Sequence, residues 1–415
     1  MKHIDGGVCA AKGFKASGVH CGIRKHTTKK DLALIVSDTE AAAAAVYTQN
    51  LVKGAPIYVT KENISDGRAR AIICNSGNAN TCNANGIEIA QQMCALVEKH
   101  TGIDKKDVIV ASTGVIGQPL SIDPIANGMD ELVGGLAYGN SSEAAKAIMT
   151  TDTVQKETAV EFEIDGKKCV IGGIAKGSGM IHPNMATMLV FVTTDTAISS
   201  AMLQRALSND VKDSFNMISA DVQSSFNMVT VDGDTSTNDM VAVMANGMAG
   251  NKEITEEGEA FETFKKALSA VTVSLCRKIA GDGEGATKLL ECTVSGAKSE
   301  KEAKNAAKSV ICSSLLKAAM FGADANWGRV LCALGYSGEN LDVDKIDVSF
   351  KSDKGEILVC ENGAGVDFSE EKAKEILLEK EIQILVGLND GPYTATAWGC
   401  DLTYDYVRIN GDYRS

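Results

Sequence analysis

A mixed α/β fold is predicted by three features of the sequence. Strand-like and helix-like stretches alternate along most of its length. "AVEFEIDGKKCVIGGIAKG" (159–177) alternates on either side of an Asp165-Gly166 turn, which marks a hairpin. "EEGEAFETFKKALSAVTVSLCRKIA" (256–280) repeats apolar residues at helical spacing, with acidic residues early and basic residues late, as a helix dipole favours.

Taken in order, "ARAIICNSG" (69–77) reads as a buried strand running into a Gly/Asn loop, and "IEIAQQMCALVEKH" (87–100) as the helix after it. "KDVIVAST" (106–113) is a strand stopped by Gly114. After the hairpin, "TMLVFVTT" (187–194) is a strand and "SSAMLQRAL" (199–207) opens a helix. "TKLLECTVSGA" (287–297) resumes strand character, and "EKEAKNAAKSVICSSLLKAAM" (300–320) is helical. The remainder holds a hairpin around "SDKGE" (352–356), a helix at "SEEKAKEILLEK" (369–380), a strand at "IQILVGL" (382–388) and a last strand running into "TATAWGCDLTYDYVRINGDYRS". The 415 residues suggest two or three domains. With no linker to mark a boundary, the cut is placed after the long helix, giving an α/β domain over 1–285 and a second over 286–415.

Composition narrows the class. Apolar residues make up 44% and charged residues 23%, as in a globular protein, and 40 glycines against 5 prolines imply many tight turns. A net charge of −13 with scattered Lys and Arg offers no basic stripe for a phosphate backbone, so nucleic acid is not expected as a partner. The first residues lack a signal peptide's apolar segment and no apolar run approaches the ~20 residues of a membrane span, so a cytoplasmic place and no membrane partner are expected. The twelve cysteines form no Cys-x-x-Cys pair and most sit in apolar runs, where cysteine behaves as a small hydrophobe.

Several familiar motifs fail. "GGIAKGSG" has its lysine before the glycine, unlike a phosphate-binding loop. "DGDTSTND" (232–239) starts like a calcium loop, but Thr237 replaces the turn glycine and Val243 the final glutamate, so a polar turn or structural role is expected. The five histidines lack metal-site spacing, and no metal is expected. His182 fits a hydrogen-bonded structural residue better than a general base.

"GSGMIHPNMATMLVF" (177–191) raises a sharper question, because Thr187 stands behind the small Ala186 where a loop becomes a strand. A threonine hydroxyl needs an adjacent base, and a threonine that begins a chain has its own α-amine for that purpose. That amine titrates at about 7.7–8.0, so it is substantially neutral at working pH. In mid-sequence the amine arises only if the preceding bond is cut, and self-cutting needs a hydroxyl after the bond, a small residue before it and a tight turn. Ala186-Thr187 behind "HPNM" has these features. The plainer alternative is that Thr187 is a β-branched residue starting a strand.

The stretch "KGSGMIHPNMATML" resembles the processing site of the glutamate N-acetyltransferase family, also called ornithine acetyltransferases. "CNSGNAN" (74–80), "STGVIG" (112–117), "MTTDT" (149–153), "TVDGDTSTND" (230–239), "DGEGATK" (282–288), "ADANWGR" (323–329) and the ending "DLTYDYVRINGDYRS" resemble that family's blocks in the same order, over essentially the whole chain. The resemblance implies an α/β sandwich-like core and a precursor that cuts between Ala186 and Thr187 into chains 1–186 and 187–415, assembled as two of each. It implies acetyl transfer from N2-acetylornithine to glutamate through an acetyl-Thr187 intermediate, with no cofactor and with acetyl-CoA as an open second donor. Carried over by position, the oxyanion hole falls on Thr113 and Gly114, and the substrate contacts on Thr153, Lys176, Thr187, Glu284, Asn410 and Ser415. By charge, Lys176 suits a substrate carboxylate and Glu284 the ornithine ammonium. Without the resemblance, Lys176 reads as a solvated lysine, Glu284 as a turn residue and Thr113-Gly114 as an ordinary strand end. The chain departs from the family's commoner threonine at Ser415 and from alanine at Gly411. Two other readings are an N-terminal-threonine amidase or aminopeptidase, in which water takes the acyl group, and an uncut amino-acid-binding protein.

Overall fold

The structure is a computed structural model describing residues 1–25, 27–180, 188–207 and 225–411. These fall into two compact units, the second comprising described residues 225–233 and 276–411 and the first the rest. Sixteen strands are described: β1 (Lys2–Ile4), β2 (Phe14–Val19), β3 (Leu32–Tyr47), β4 (Arg68–Asn75), β5 (Val108–Ser112), β6 (Lys156–Ile164), β7 (Lys167–Lys176), β8 (Leu189–Thr194), β9 (Val229–Thr230), β10 (Met240–Ala245), β11 (Leu289–Ala297), β12 (Asp347–Ser352), β13 (Gly355–Glu361), β14 (Ala364–Gly365), β15 (Glu381–Gly387) and β16 (Tyr393–Cys400).

The first unit is built on a nine-stranded sheet in the order β1-β6-β7-β8-β10-β3-β4-β5, with β2 also paired to β3. Alternate residues of β4 enter different apolar clusters, as the two-residue period of a strand requires. Ile72 and Cys74 pack in one cluster with Ala144, Ala145 and Ile148 of the helix Ser141–Ile148. Ala71 and Ile73 pack in the other with Met93 and Val97 of Gly86–Thr101 and Met129 and Leu132 of Asp123–Gly134. The mixed α/β class is therefore the observed one. The hairpin turns at Asp165 (φ 51°) and Gly166 (φ 70°), the pair of left-handed residues that a two-residue turn joining twisted strands demands.

β8 lies inside this sheet and is buried throughout. It runs antiparallel to β7 and parallel to β10, so Leu189 pairs with Lys176 on one side and Met240 on the other. Both neighbours thus place residues at the start of β8, two positions after Thr187 in the chain.

The second unit carries a seven-stranded sheet, β14-β13-β12-β15-β11-β16-β9. The helix Glu300–Cys312 lies close on it because Gly399 of β16 leaves room; a Cβ there would sit 2.6 Å from Ile311 Cγ2.

Among the differences from the sequence reading, three have a plain physical cause. The helical stretch 300–320 is two helices, Glu300–Cys312 and Ser314–Phe321, because Ser313 takes extended backbone (ψ 108°) and its side chain accepts from the Leu316 N–H as an N-cap. The last strand ends at Cys400 and is followed by the helix Tyr404–Asn410, started by Thr403, whose side chain accepts from the Tyr406 N–H. The alanine-rich 16-residue β3 was not assigned from sequence; it is a strand because β2, β4 and β10 all pair with it. Tertiary pairing there overrides alanine's helix preference.

Candidate active site

Thr187, Ala186, His182 and Ser415 lie outside the described residues. The surroundings of β8 and the other expected residues are described.

Lys176 ends β7 and is 5% exposed, so it is a buried cation and not a solvated lysine. Its charge acts on three described groups, Asp152, Asp239 and Cys74. Asp152 is fully engaged: Oδ1 accepts from Lys156 Nζ and the Gly177 N–H, each at 2.7 Å, and Oδ2 from the Thr150 N–H at 2.9 Å. Burial alone would raise its carboxyl, but the charges of Lys176 and Lys156 and the Gly177 N–H outweigh it and hold the group below the usual carboxylate range. Thr153, the next residue, is exposed. Asp239 has the opposite balance. Burial pushes its carboxyl well above the ordinary value despite the Met188 N–H, the Lys176 charge and the Ser236 side chain. The first unit therefore holds two buried lysines and two buried carboxyls near the start of β8, a grouping suited to orienting a small charged ligand.

Thr113 and Gly114 follow β5. Gly114 has φ +133°, and a Cβ there would lie 2.3 Å from the Gly77 carbonyl carbon and 2.5 Å from the Asn78 nitrogen, so only glycine fits. The Thr113 N–H already donates to Asn75 O at 3.0 Å. An oxyanion at this pair would thus be met by the Thr113 hydroxyl and the Gly114 N–H. A buried amide network fixes the turn: Asn75 Nδ2 donates to Asn78 O (2.9 Å) and Ser112 Oγ to Asn75 Oδ1 (2.6 Å), while Asn238 Nδ2 reaches both Ala79 O (2.6 Å) and Ser112 O (3.0 Å). The calcium-like stretch thus supplies Asn238 as a structural clamp behind Thr113.

In the second unit, Glu284 is 6% exposed and accepts from Asn410 Nδ2 at 2.7 Å, so these two expected residues meet. Gly285 (φ 69°) makes the approach possible, since a Cβ would lie 2.7 Å from the Tyr406 nitrogen. Thr403 Oγ1 donates to Gly285 O at 2.7 Å and locks the terminal helix onto the same turn.

Sequence reasoning missed Asp152, Lys156, Asp239 and Asn238 as parts of this arrangement. Asp152 lies in "MTTDT" and Asn238 and Asp239 in "TVDGDTSTND", so blocks already singled out contained three of them. Their local sequence carries no signal of burial, since both stretches are polar and an aspartate there reads as a surface residue. Among the described residues, no group of three His, Cys, Asp or Glu side chains is placed to hold a metal ion, and no helix is long and apolar enough to cross a membrane.

Comparison with known proteins decides the family. The ArgJ family model matches residues 15–225 and 220–415. The chain belongs to the ArgJ family. The arginine biosynthesis bifunctional protein ArgJ of Caldanaerobacter subterraneus is 51% identical over 416 residues, covering 100% of both chains. ArgJ 1 of Clostridium acetobutylicum is 51% identical over 403 residues, 97% of this chain and 96% of that one. A crystal structure of the ArgJ protein from Bacillus halodurans is 47% identical, covers 53% of this chain and 97% of that chain, and has a TM-score of 0.49. The block that carries Lys176 and Thr187, and those that carry Thr113, Glu284 and Asn410, fall inside the ArgJ family match.

Proposed function

We propose that this chain is a self-processing acetyltransferase of arginine biosynthesis, moving the acetyl group of N2-acetylornithine to glutamate through an ester on Thr187. The observation that carries the reading is the full-length likeness to ArgJ relatives. The buried Lys176, paired with Leu189 at the start of β8, supports it from the geometry.

Processing comes first. The Thr187 hydroxyl adds to the Ala186 carbonyl, the peptide C–N bond breaks, the nitrogen takes up a proton to become the α-amine, and water hydrolyses the ester. The amine then serves as base for its own hydroxyl. In turnover the hydroxyl attacks the acetyl carbonyl of N2-acetylornithine, its proton passes to the amine and then to the departing ornithine nitrogen, and an acetyl ester remains. Glutamate's amine attacks that ester in the reverse sense. The Thr113 hydroxyl and Gly114 N–H meet the oxyanion, each such donor contributing roughly 3 kcal/mol. Lys176 takes the substrate carboxylate, Glu284 the ornithine ammonium, and Thr153, Asn410 and Ser415 complete the contacts. No cofactor is needed, and acetyl-CoA serves the same threonine as a second donor. Two chains of each kind form the cytoplasmic assembly.

The test supplies the purified protein with N2-acetylornithine and isotopically labelled glutamate. Labelled N-acetylglutamate formed in step with ornithine supports transfer. Free acetate in its place supports the amidase reading, and ligand binding without turnover the binding-protein reading.

A further inference from the structure

Glu284 stands between Gly283 and Gly285, in the turn that joins the long helix Glu259–Gly281 to β11. Glycine leaves a backbone more freedom than any other residue, so the chain on either side of Glu284 does little to aim its carboxylate. The aim comes from the segment after β16. β16 pairs with β11 in a register that sets Cys400 beside Leu289, and one residue further the Asp401 N–H donates to Lys288 O at 3.3 Å.

Asp401 is 3% exposed and accepts at both carboxylate oxygens. Oδ1 takes the Thr287 N–H at 2.8 Å and the Lys288 N–H at 3.0 Å, and Oδ2 takes the Thr287 hydroxyl at 2.5 Å. Two residues on, Thr403 holds Gly285 O. The segment 401–403 therefore grips the turn at residues 285, 287 and 288, directly after Glu284, and leads into the helix whose Asn410 meets the Glu284 carboxylate.

Asp401 also bears on the charge of the turn. Lys288 is buried and its Nζ donates to Met320 O at 2.5 Å, while the Asp401 charge partly offsets the burial that lowers its ammonium pKa. The turn's own cation is thus engaged on the helix Ser314–Phe321, and the Glu284 carboxylate meets the neutral Asn410 amide. Buried charges are ordinarily paired with charge, and here the donor substrate supplies it.

We propose that Asp401 is a positioning residue for donor selection: through Thr287 and Lys288 it fixes the turn that presents Glu284 to the side-chain ammonium of N2-acetylornithine, and so sets the preference for a cationic over a neutral acetylated amino acid. The inference rests on the reading that Glu284 takes that ammonium.

The experiment compares kcat/KM for N2-acetylornithine with that for N2-acetylnorvaline, which has the same carbon chain without the terminal amine, with glutamate as acceptor for both. Wild type is expected to prefer N2-acetylornithine by roughly 100-fold or more. Asp401→Asn turns one acceptor oxygen into a donor, and it is expected to shrink that preference by about 10-fold, mainly through KM. In a Glu284→Gln background the same change should shrink it no further, because both act on one contact. Thr287→Val, which removes a single bond to Asp401, should show a smaller loss, and Thr287→Ser should keep the wild-type preference. These two decide the matter if Asp401→Asn does not fold. A loss of turnover equal for both donors, with the preference unmoved, overturns the proposal and leaves Asp401 a purely structural residue. A loss that adds in full to that of Glu284→Gln overturns it too, as does a Thr287→Val protein with wild-type preference. If Glu284→Gln itself keeps the wild-type preference, the ammonium reading of Glu284 falls, and this inference with it.

Discussion

Lys156 Nζ stands 2.7 Å from Asp152 Oδ1, and solvent reaches neither side chain. Removing either charge takes from the other its 2.7 Å ion-pair partner in the interior. Lys156→Met is expected to destabilise the fold by about 3–5 kcal/mol, read from denaturant unfolding. Adding Asp152→Asn to that variant should recover part of the loss.

The same pair sets an acid limit. Asp152 titrates below its ordinary value of 3.8 in the folded chain, so its contribution is fully present above that value and disappears as pH falls through the lower folded one. The stability difference between wild type and Asp152→Asn should therefore be constant at neutral pH and shrink below about pH 4. A difference that stays flat down to acid unfolding would show that the two lysines do not act on this carboxyl.

Gly114→Ala is expected to lower kcat by about 100-fold or more, since the added carbon must push the Gly77–Asn78 backbone away and move a donor from the oxyanion. Thr113→Val, which removes only the hydroxyl, should lower kcat without raising KM comparably. Steady-state rates at saturating donor separate these effects.

Glu284→Gln is expected to raise KM for N2-acetylornithine by roughly 10- to 100-fold while changing KM for glutamate much less, because only ornithine brings a side-chain ammonium. Asn410→Ala should reproduce part of the effect by freeing the carboxylate it holds at 2.7 Å.

Much of this was legible in the sequence because periodicity and turn chemistry are local. The β6–β7 hairpin followed from Asp165-Gly166, and the helix ending at Gly281 from its spacing and charge order. What was illegible depends on distant pairing. β3 reads as alanine-rich and becomes a strand only through its three partners. The terminal helix carries Tyr, Val and Ile, which favour strands, and its start depends on Thr403 acting as a cap. At the site, family likeness pointed to Lys176, Glu284 and Asn410, and the structure buries the first two and joins the last two. Asp152 and Asp239 escaped notice because a lone aspartate in a sequence is ordinarily a surface residue. Only the strand order, β6-β7-β8-β10, brings them to the same strand end as Lys176.

In the proposed reaction Thr187 becomes the first residue of a chain and then carries the acetyl group. Intact-mass measurement of the purified protein, before and after brief exposure to N2-acetylornithine, tests it most directly. Two chains are expected, one ending at Ala186 and one beginning at Thr187, with only the latter gaining a single acetyl group. A folded, catalytically active preparation consisting of one unmodified 43.6 kDa chain would contradict it.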